Sequence, residues 1–112
     1  MRMRKEKDSL GELTVPDDAL YGVHTCRSIE NFHMAGEKLP LELIYAMVQL
    51  KQACAVANAQ LGLLPHEKAV AIAAACGEVL SGKFNDQFPI DIFQAGSGTS
   101  SNMNVNEVLG NL

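Results

Sequence analysis

The sequence predicts a mainly α-helical fold: a helical hairpin over residues 40–82, preceded by an irregular arm (1–36) and followed at 83–112 by a glycine-rich loop that opens a third helix. Three observations carry this expectation. Apolar residues step by four and three from Leu43 to Leu61, a second helical period runs from Pro65 to Leu80, and Ala95-Gly96-Ser97-Gly98-Thr99-Ser100-Ser101-Asn102-Met103-Asn104 sets hydroxyls and amides behind two glycines and straight into a third apolar pattern.

The first helix of the hairpin starts at Pro40, whose fixed φ suits the first turn, and places Leu43, Met47, Leu50, Cys54, Ala57 and Leu61 on one stripe. Gly62 stands where a left-handed residue ends a helix. Met47 lies in register with the leucines and reads as packing. Ala53, Ala55, Ala57 and Ala59 would let a neighbouring helix approach closely. After the short Leu63-Leu64-Pro65 connection, Ala69, Ile72, Ala73, Cys76, Val79 and Leu80 form one side of the second helix, with Gly82 as its stop. A connection this short makes an antiparallel pair.

The arm has the opposite character. Val15-Pro16-Asp17-Asp18 is turn-forming, and Gly11, Gly22 and Gly36 interrupt any helical period. Tyr21, Val23, Ile29 and Phe32 would pin it to a core, leaving His24, Thr25 and Arg27 as polar residues with a role to assign. From residues alone, His24 reads as a hydrogen-bonded structural histidine and Arg27 as an ion-pair partner. Beyond the hairpin, Lys83 to Ala95 reads as a structured connector, because Pro89 interrupts the Phe88, Ile90, Ile92 alternation. Asp86 and Asp91 invite an acid–base reading, but aspartates beside turns cap or bond to backbone, and the structural reading is preferred.

In the loop, Gly96 and Gly98 permit positive φ and close approach, and Ser100 or Ser101 is placed to cap a helix starting near Ser100 and carrying Met103, Val105, Val108, Leu109 and Leu112 on its apolar side. The unpaired N–H groups of such a start, with the helix dipole, favour an anion. No Gly-Lys-Ser/Thr follows and the third glycine of a dinucleotide fingerprint is missing, which disfavours nucleotides. Asn102, Asn104 and Asn106 are mediocre helix formers; their amides either bond across an interface or fix the preceding loop.

Thirteen acidic and nine basic residues give a net charge of −4 with no basic stripe, so the electrostatic footprint of a nucleic-acid binder is missing. Cys26, Cys54 and Cys76 are odd in number and widely spaced, which argues against a disulfide framework or a zinc site and for a reducing cytoplasm. His24, His33 and His66 are scattered, and no metal or other cofactor is expected. The basic start Met1-Arg2-Met3-Arg4-Lys5 meets Glu6 at once and is no secretory signal, and no apolar run approaches the ~20 residues of a membrane span.

At this point the sequence resembles a known family. The run from Asp86 to Asn111 is similar to the first signature region of the fumarase/aspartase superfamily, and Tyr21-Gly22-Val23-His24-Thr25-Cys26-Arg27-Ser28-Ile29-Glu30-Asn31-Phe32 resembles an N-terminal motif of the same group. The resemblance implies the N-terminal domain of a helical lyase that acts on a small dicarboxylate and assembles into homotetramers. It implies carboxylate binding by Ser97, Gly98 and Thr99, with Arg27, His24 and Asn104 as further candidates around the substrate.

In such lyases a base takes a proton from the carbon beside a carboxylate, which becomes an aci-carboxylate, and an amine or hydroxyl leaves the neighbouring carbon to give fumarate. Val23-His24-Thr25 and Asp86-Gln87-Phe88-Pro89 favour the aspartate ammonia-lyase branch; the alternatives are a class II fumarate hydratase and, from another class, a non-catalytic helical association module. The superfamily's serine-loop signature and its second signature do not occur, so no catalytic residue is assigned. The chain reads as a piece of a longer subunit, expected to be inactive alone.

Overall fold

The computed structural model describes residues 2–32, 36–91, 94 and 98–112. Among these residues it is mainly helical, with four α-helices and one two-stranded sheet. Spatial proximity divides the chain into two units, Met1–Pro40 with Asp86–Leu112, and Leu41–Asn85.

Residues 1–36, expected as an irregular arm, carry regular structure instead. Strand β1 (Met3–Asp8) pairs antiparallel with β2 (Gly11–Pro16), Met3 opposite Pro16 and Asp8 opposite Gly11. At the turn, Asp8 Oδ1 accepts the Leu10 N–H at 2.9 Å. The strand period is present in β1, but its inward residues are Arg4, Glu6 and Asp8, alternating with exposed Met3, Lys5 and Lys7. Hydrophobic alternation therefore could not reveal it. In β2, Leu13 and the fully buried Val15 alternate with exposed Glu12 and Thr14, the ordinary signal of a half-buried strand.

The arm then forms helix α1 (Val23–Asn31). A nine-residue helix is marginal in water on its own, and its N-cap, Gly22, has no side chain with which to cap it. Two distant carboxylates take that part. Glu6 Oε1 accepts the Val23 N–H at 3.0 Å; Glu107 accepts the N–H groups of His24 and Thr25, each at 3.0 Å, and the Thr25 hydroxyl at 2.6 Å. Arg4 holds Glu6 in place, donating to Glu6 Oε2 at 2.7 Å and to the carbonyls of Pro16, Asp17 and Tyr21. Of the four pinning residues expected in the arm, Val23 is buried and Tyr21, Ile29 and Phe32 are half-buried; the polar Thr25 and Ser28 are buried too.

In the second unit, α2 (Leu41–Gln60) and α3 (His66–Leu80) form the expected antiparallel hairpin. Gly62 has φ of +75°, and the N–H groups of Gly62, Leu63 and Leu64 close onto Ala59 and Asn58 carbonyls, as a left-handed helix end requires. Gln52 Nε2 donates to the Ala73 carbonyl at 3.2 Å, and Tyr45 donates to Asn85 Oδ1. The α3 face is the expected one, with Ala69, Cys76 and Val79 buried and Ala75 added. The α2 face is not. Its buried residues are Ile44, Val48 and Ala55, whereas Leu43, Leu50 and Leu61 of the expected stripe are exposed. The helix is apolar on both sides, so spacing alone could not decide which side is buried.

The connector after the hairpin makes a 3-10 turn at Asn85–Gln87 and an isolated bridge between Lys38 and Asp91. Phe88 and Ile90 are buried. Helix α4 (Thr99–Asn111) follows, buries Val105 and Val108, and packs on α1.

Candidate carboxylate-binding site

Helix α4 begins at a left-handed glycine: its N-cap, Gly98, has φ of +70° and ψ of +21° and contributes no capping side chain. A side chain at that φ would be strained. Ser101, in the first turn, is capped from before the loop, its N–H donating to Gln94 Oε1 at 2.8 Å, while Gln94 Nε2 donates to the Asp91 carbonyl at 3.2 Å. The Ser101 hydroxyl turns back to the Gly98 carbonyl at 3.0 Å. Ser100 and Ser101 are buried, and no acidic residue lies in the first turn. The start of α4 is thus lined by neutral hydroxyls and backbone N–H groups at the positive end of a thirteen-residue helix, an arrangement that favours a carboxylate.

Of the residues expected to bind substrate, Gly98 and Thr99 stand at this helix start, and Ser97 lies outside the described residues. Asn104 sits one turn on, fully buried, and donates through Nδ2 to the Gln87 carbonyl at 2.9 Å; its Oδ1 is buried with no hydrogen-bond partner among the described residues. Of the asparagine trio only Asn104 is buried; Asn102 and Asn106 are exposed.

His24 and Arg27 are on α1. The His24 N–H goes to Glu107, and its Nδ1 is buried with no partner among the described residues. Arg27 forks onto Asp8 at 2.9 and 3.1 Å and donates to the Gly11 carbonyl at 2.9 Å, tying α1 to the β-turn. The Arg27 hydrogen bond holds the Asp8 carboxyl below the usual carboxylate range, against a smaller desolvation effect. Asp91 is buried and accepts the Gly36 N–H at 2.9 Å, whereas Asp86 is exposed.

Sequence reasoning missed Glu6 and Gln94, and it carried Glu107 only within the signature run, not as a cap of α1. Gln94 and Glu107 flank the loop inside the signature region and could have been read as reaching out of it; nothing near Glu6 marks it. Among the described residues no group of three or more His, Cys, Asp and Glu side chains is placed to hold a metal ion, and no helix is long and apolar enough to cross a membrane.

Comparison with known proteins agrees with this geometry. A family model described as Lyase matches residues 11–112. The chain is 56% identical over 109 residues to the class II fumarate hydratase of Halalkalibacterium halodurans, covering 97% of the chain and 24% of that protein. It is 50% identical over 111 residues to the Bacillus subtilis enzyme of the same name, covering 99% and 24%. Its fold matches the crystal structure of recombinant class II fumarase from Schistosoma mansoni with a TM-score of 0.93 at 42% identity, over 96% of the chain and 23% of that structure. The chain therefore spans about a quarter of the length of these relatives.

These relatives are named hydratases, and the aspartate ammonia-lyase preference finds no support among them. That preference rested on His24 and Gln87. Gln87 serves the scaffold, its Oε1 accepting the Leu20 N–H at 2.8 Å, while His24 bonds Glu107 through its backbone N–H alone, a contact any residue there could make. A side chain that holds the scaffold, as Gln87 does, carries little information about which group leaves the substrate. What the signature regions, the helical fold and the family match establish together is membership: the chain belongs to the fumarase/aspartase superfamily of lyases.

Proposed function

We propose that this chain is the N-terminal portion of a class II fumarate hydratase, and that it contributes the loop and helix start that bind one carboxylate of the substrate. The observation that carries the reading is the start of α4, where Gly98 and Thr99 precede buried Ser100 and Ser101 with no acidic side chain in the first turn. The naming of relatives at 50–56% identity as class II fumarate hydratases supports water rather than ammonia as the group added to fumarate.

The chemistry fits such donors. Adding water across the double bond of fumarate, or removing it from the hydroxy acid, passes through a species in which a proton has left the carbon beside a carboxylate. That carboxylate then carries extra negative charge as an aci-carboxylate. Donors fixed before the reaction stabilise growing charge most in the transition state. The role of Ser97, Gly98 and Thr99 is to hold and orient a carboxylate; no proton transfer is assigned to them. The parent subunit is proposed to work as a cytoplasmic homotetramer.

The test is a hybrid in which residues 1–112 replace the matching quarter of the Bacillus subtilis hydratase, assayed by fumarate absorbance with fumarate, malate and L-aspartate, beside the 112-residue chain alone. Hydration of fumarate without ammonia release from aspartate is expected of the hybrid, and no turnover of the chain alone. Thr99→Ala in the hybrid should lower kcat/KM about 100-fold, the usual cost of one such donor. A correctly assembled hybrid that releases ammonia from aspartate, or that is indifferent to Thr99→Ala, overturns the reading.

A further inference from the structure

Glu107 lies in the third turn of α4, on the helix that starts at the proposed carboxylate-binding loop, and its side chain bonds to α1. It accepts three hydrogen bonds from α1: the His24 and Thr25 N–H groups at 3.0 Å and the Thr25 hydroxyl at 2.6 Å. An ionised carboxylate at a helix N-terminus is held by charge-assisted hydrogen bonds and by the dipole together. The contact is close-fitting, since a Cβ built on Gly22 would stand 2.5 Å from Glu107 Oε2. Two further contacts fasten the same helix: Asn104 Nδ2 to the Gln87 carbonyl, and Asn111 Nδ2 to the Leu20 carbonyl at 2.7 Å. Of the three α4 side chains, only Glu107 carries a charge.

Resting on the functional reading above, we propose that Glu107 is a positioning residue for the proposed hydratase reaction: it sets the axial and rotational placement of α4 against α1, and with it the placement of Gly98 and Thr99. A rigid helix carries a displacement at one turn to its start, and a misplacement of about 1 Å far from the chemistry can cost on the order of 100-fold in rate. The molecule contains its own control. Glu6 caps the same helix N-terminus through the Val23 N–H and lies against Gly22 beside Glu107, but it is carried by β1, so its own displacement does not move the α4 backbone. If capping of α1 were all that mattered, both carboxylates would act through the stability of α1, Glu107 with three hydrogen bonds more than Glu6 with one, and neither would shift Gly98 and Thr99 in the folded chain.

The experiment compares Glu107→Gln with Glu6→Gln. In the 112-residue chain, the Gly98 and Thr99 amide resonances are followed by ¹⁵N–¹H NMR; in the hybrid, kcat and KM for fumarate are measured. Glu107→Gln should move the Gly98 and Thr99 resonances and lower kcat/KM at least about tenfold; Glu6→Gln should lower the melting temperature and leave the resonances and kinetics at parental values. Thr25→Val, which removes one of the three hydrogen bonds and keeps the charge, should act in the direction of Glu107→Gln but less, and it stands in if Glu107→Gln fails to fold. Equal effects of Glu6→Gln and Glu107→Gln, or none from Glu107→Gln or Thr25→Val at Gly98 and Thr99, would overturn the proposal. An unmodified hybrid that does not hydrate fumarate instead refutes the functional reading, and the resonances of the 112-residue chain then decide the positioning role by themselves.

Discussion

Gly22→Ala is the sharpest test of the fold that supports the site. The glycine has φ of −125°, which alanine adopts freely, so any cost must come from contacts. An added methyl would lie 2.5 Å from Glu107 Oε2, 2.7 Å from Glu6 Oε1 and 3.0 Å from Glu107 Cδ, against the ~3.5–4.0 Å of an ordinary contact. Both carboxylates must retreat by about 1 Å, loosening the four hydrogen bonds they accept from Val23, His24 and Thr25.

Overpacking of this kind costs about 1–3 kcal/mol and a lost helix cap about 0.5–2 kcal/mol, while alanine returns about 0.4–1 kcal/mol by restricting the unfolded chain. The net expectation is a destabilisation of about 2–3 kcal/mol, which in a chain of this size lowers Tm by roughly 10 °C. Thermal and urea unfolding followed by far-ultraviolet circular dichroism measures it. Gly77→Ala is the reference, because nothing lies within 4 Å of a Cβ there and the residue is inside α3; that change should stabilise by about 0.5–1 kcal/mol. A Gly22→Ala chain as stable as the parent, with Gly77→Ala behaving as stated, would mean that the two carboxylates do not converge on α1.

Because Arg27 lowers the Asp8 pKa in the folded chain, the stability this pair contributes is complete above the unfolded value near pH ~4 and is lost as pH falls through the folded value; Arg27→Gln should flatten the pH dependence of the urea midpoint on that acidic side, and an unchanged slope would refute the pairing. Alkylation followed by mass spectrometry should label exposed Cys54 first, then half-buried Cys26, whose thiol is pushed up by burial and then by Glu107 and Glu30, and buried Cys76 only on unfolding; early labelling of Cys76 would contradict its burial. Ile44→Ala should cost about 2–5 kcal/mol, whereas Leu50→Ala, at a side chain 66% exposed, should stay within about 0.5 kcal/mol; equal costs would restore the face expected from spacing.

Where the sequence was legible, the cause of structure was local. The hairpin follows from helical spacing and from Gly62 and Gly82, each a left-handed stop within its own turn. The start of α4 follows from Gly98, and Thr99 differs from the expected first residue by one position. Where it was not legible, the cause lay far along the chain. Helix α1 has a glycine N-cap and no acidic residue in its first turn, so nothing local announces it; its start is completed by Glu6, 17 residues before Val23, and by Glu107, 82 residues beyond Thr25. Strand β1 hides its period behind charges that face inward to serve as those caps and their holders. On α2 the apolar residues are legible but their facing is not, because both sides are apolar.

The two glycine-capped helix starts differ in a way that favours placing the proposed carboxylate site at one of them. Helices α1 and α4 both begin after a glycine that offers no capping side chain, and both carry the dipole that favours an anion. At α1, two carboxylates of the protein, Glu6 and Glu107, already accept from the first three N–H groups. A third carboxylate there would meet two like charges within one turn, and the guanidinium of Arg27, which might have offset them, is engaged by Asp8 and Gly11. At α4 the capping group from the protein is the neutral amide of Gln94, accepting from Ser101, and the side chains of the first turn are hydroxyls and an amide. One start is completed by negative charge from within the chain, and the other is completed by neutral dipoles. Arg27 on α1 is taken up by Asp8 and Gly11, and the proposed carboxylate site is therefore assigned to the α4 start rather than the α1 start.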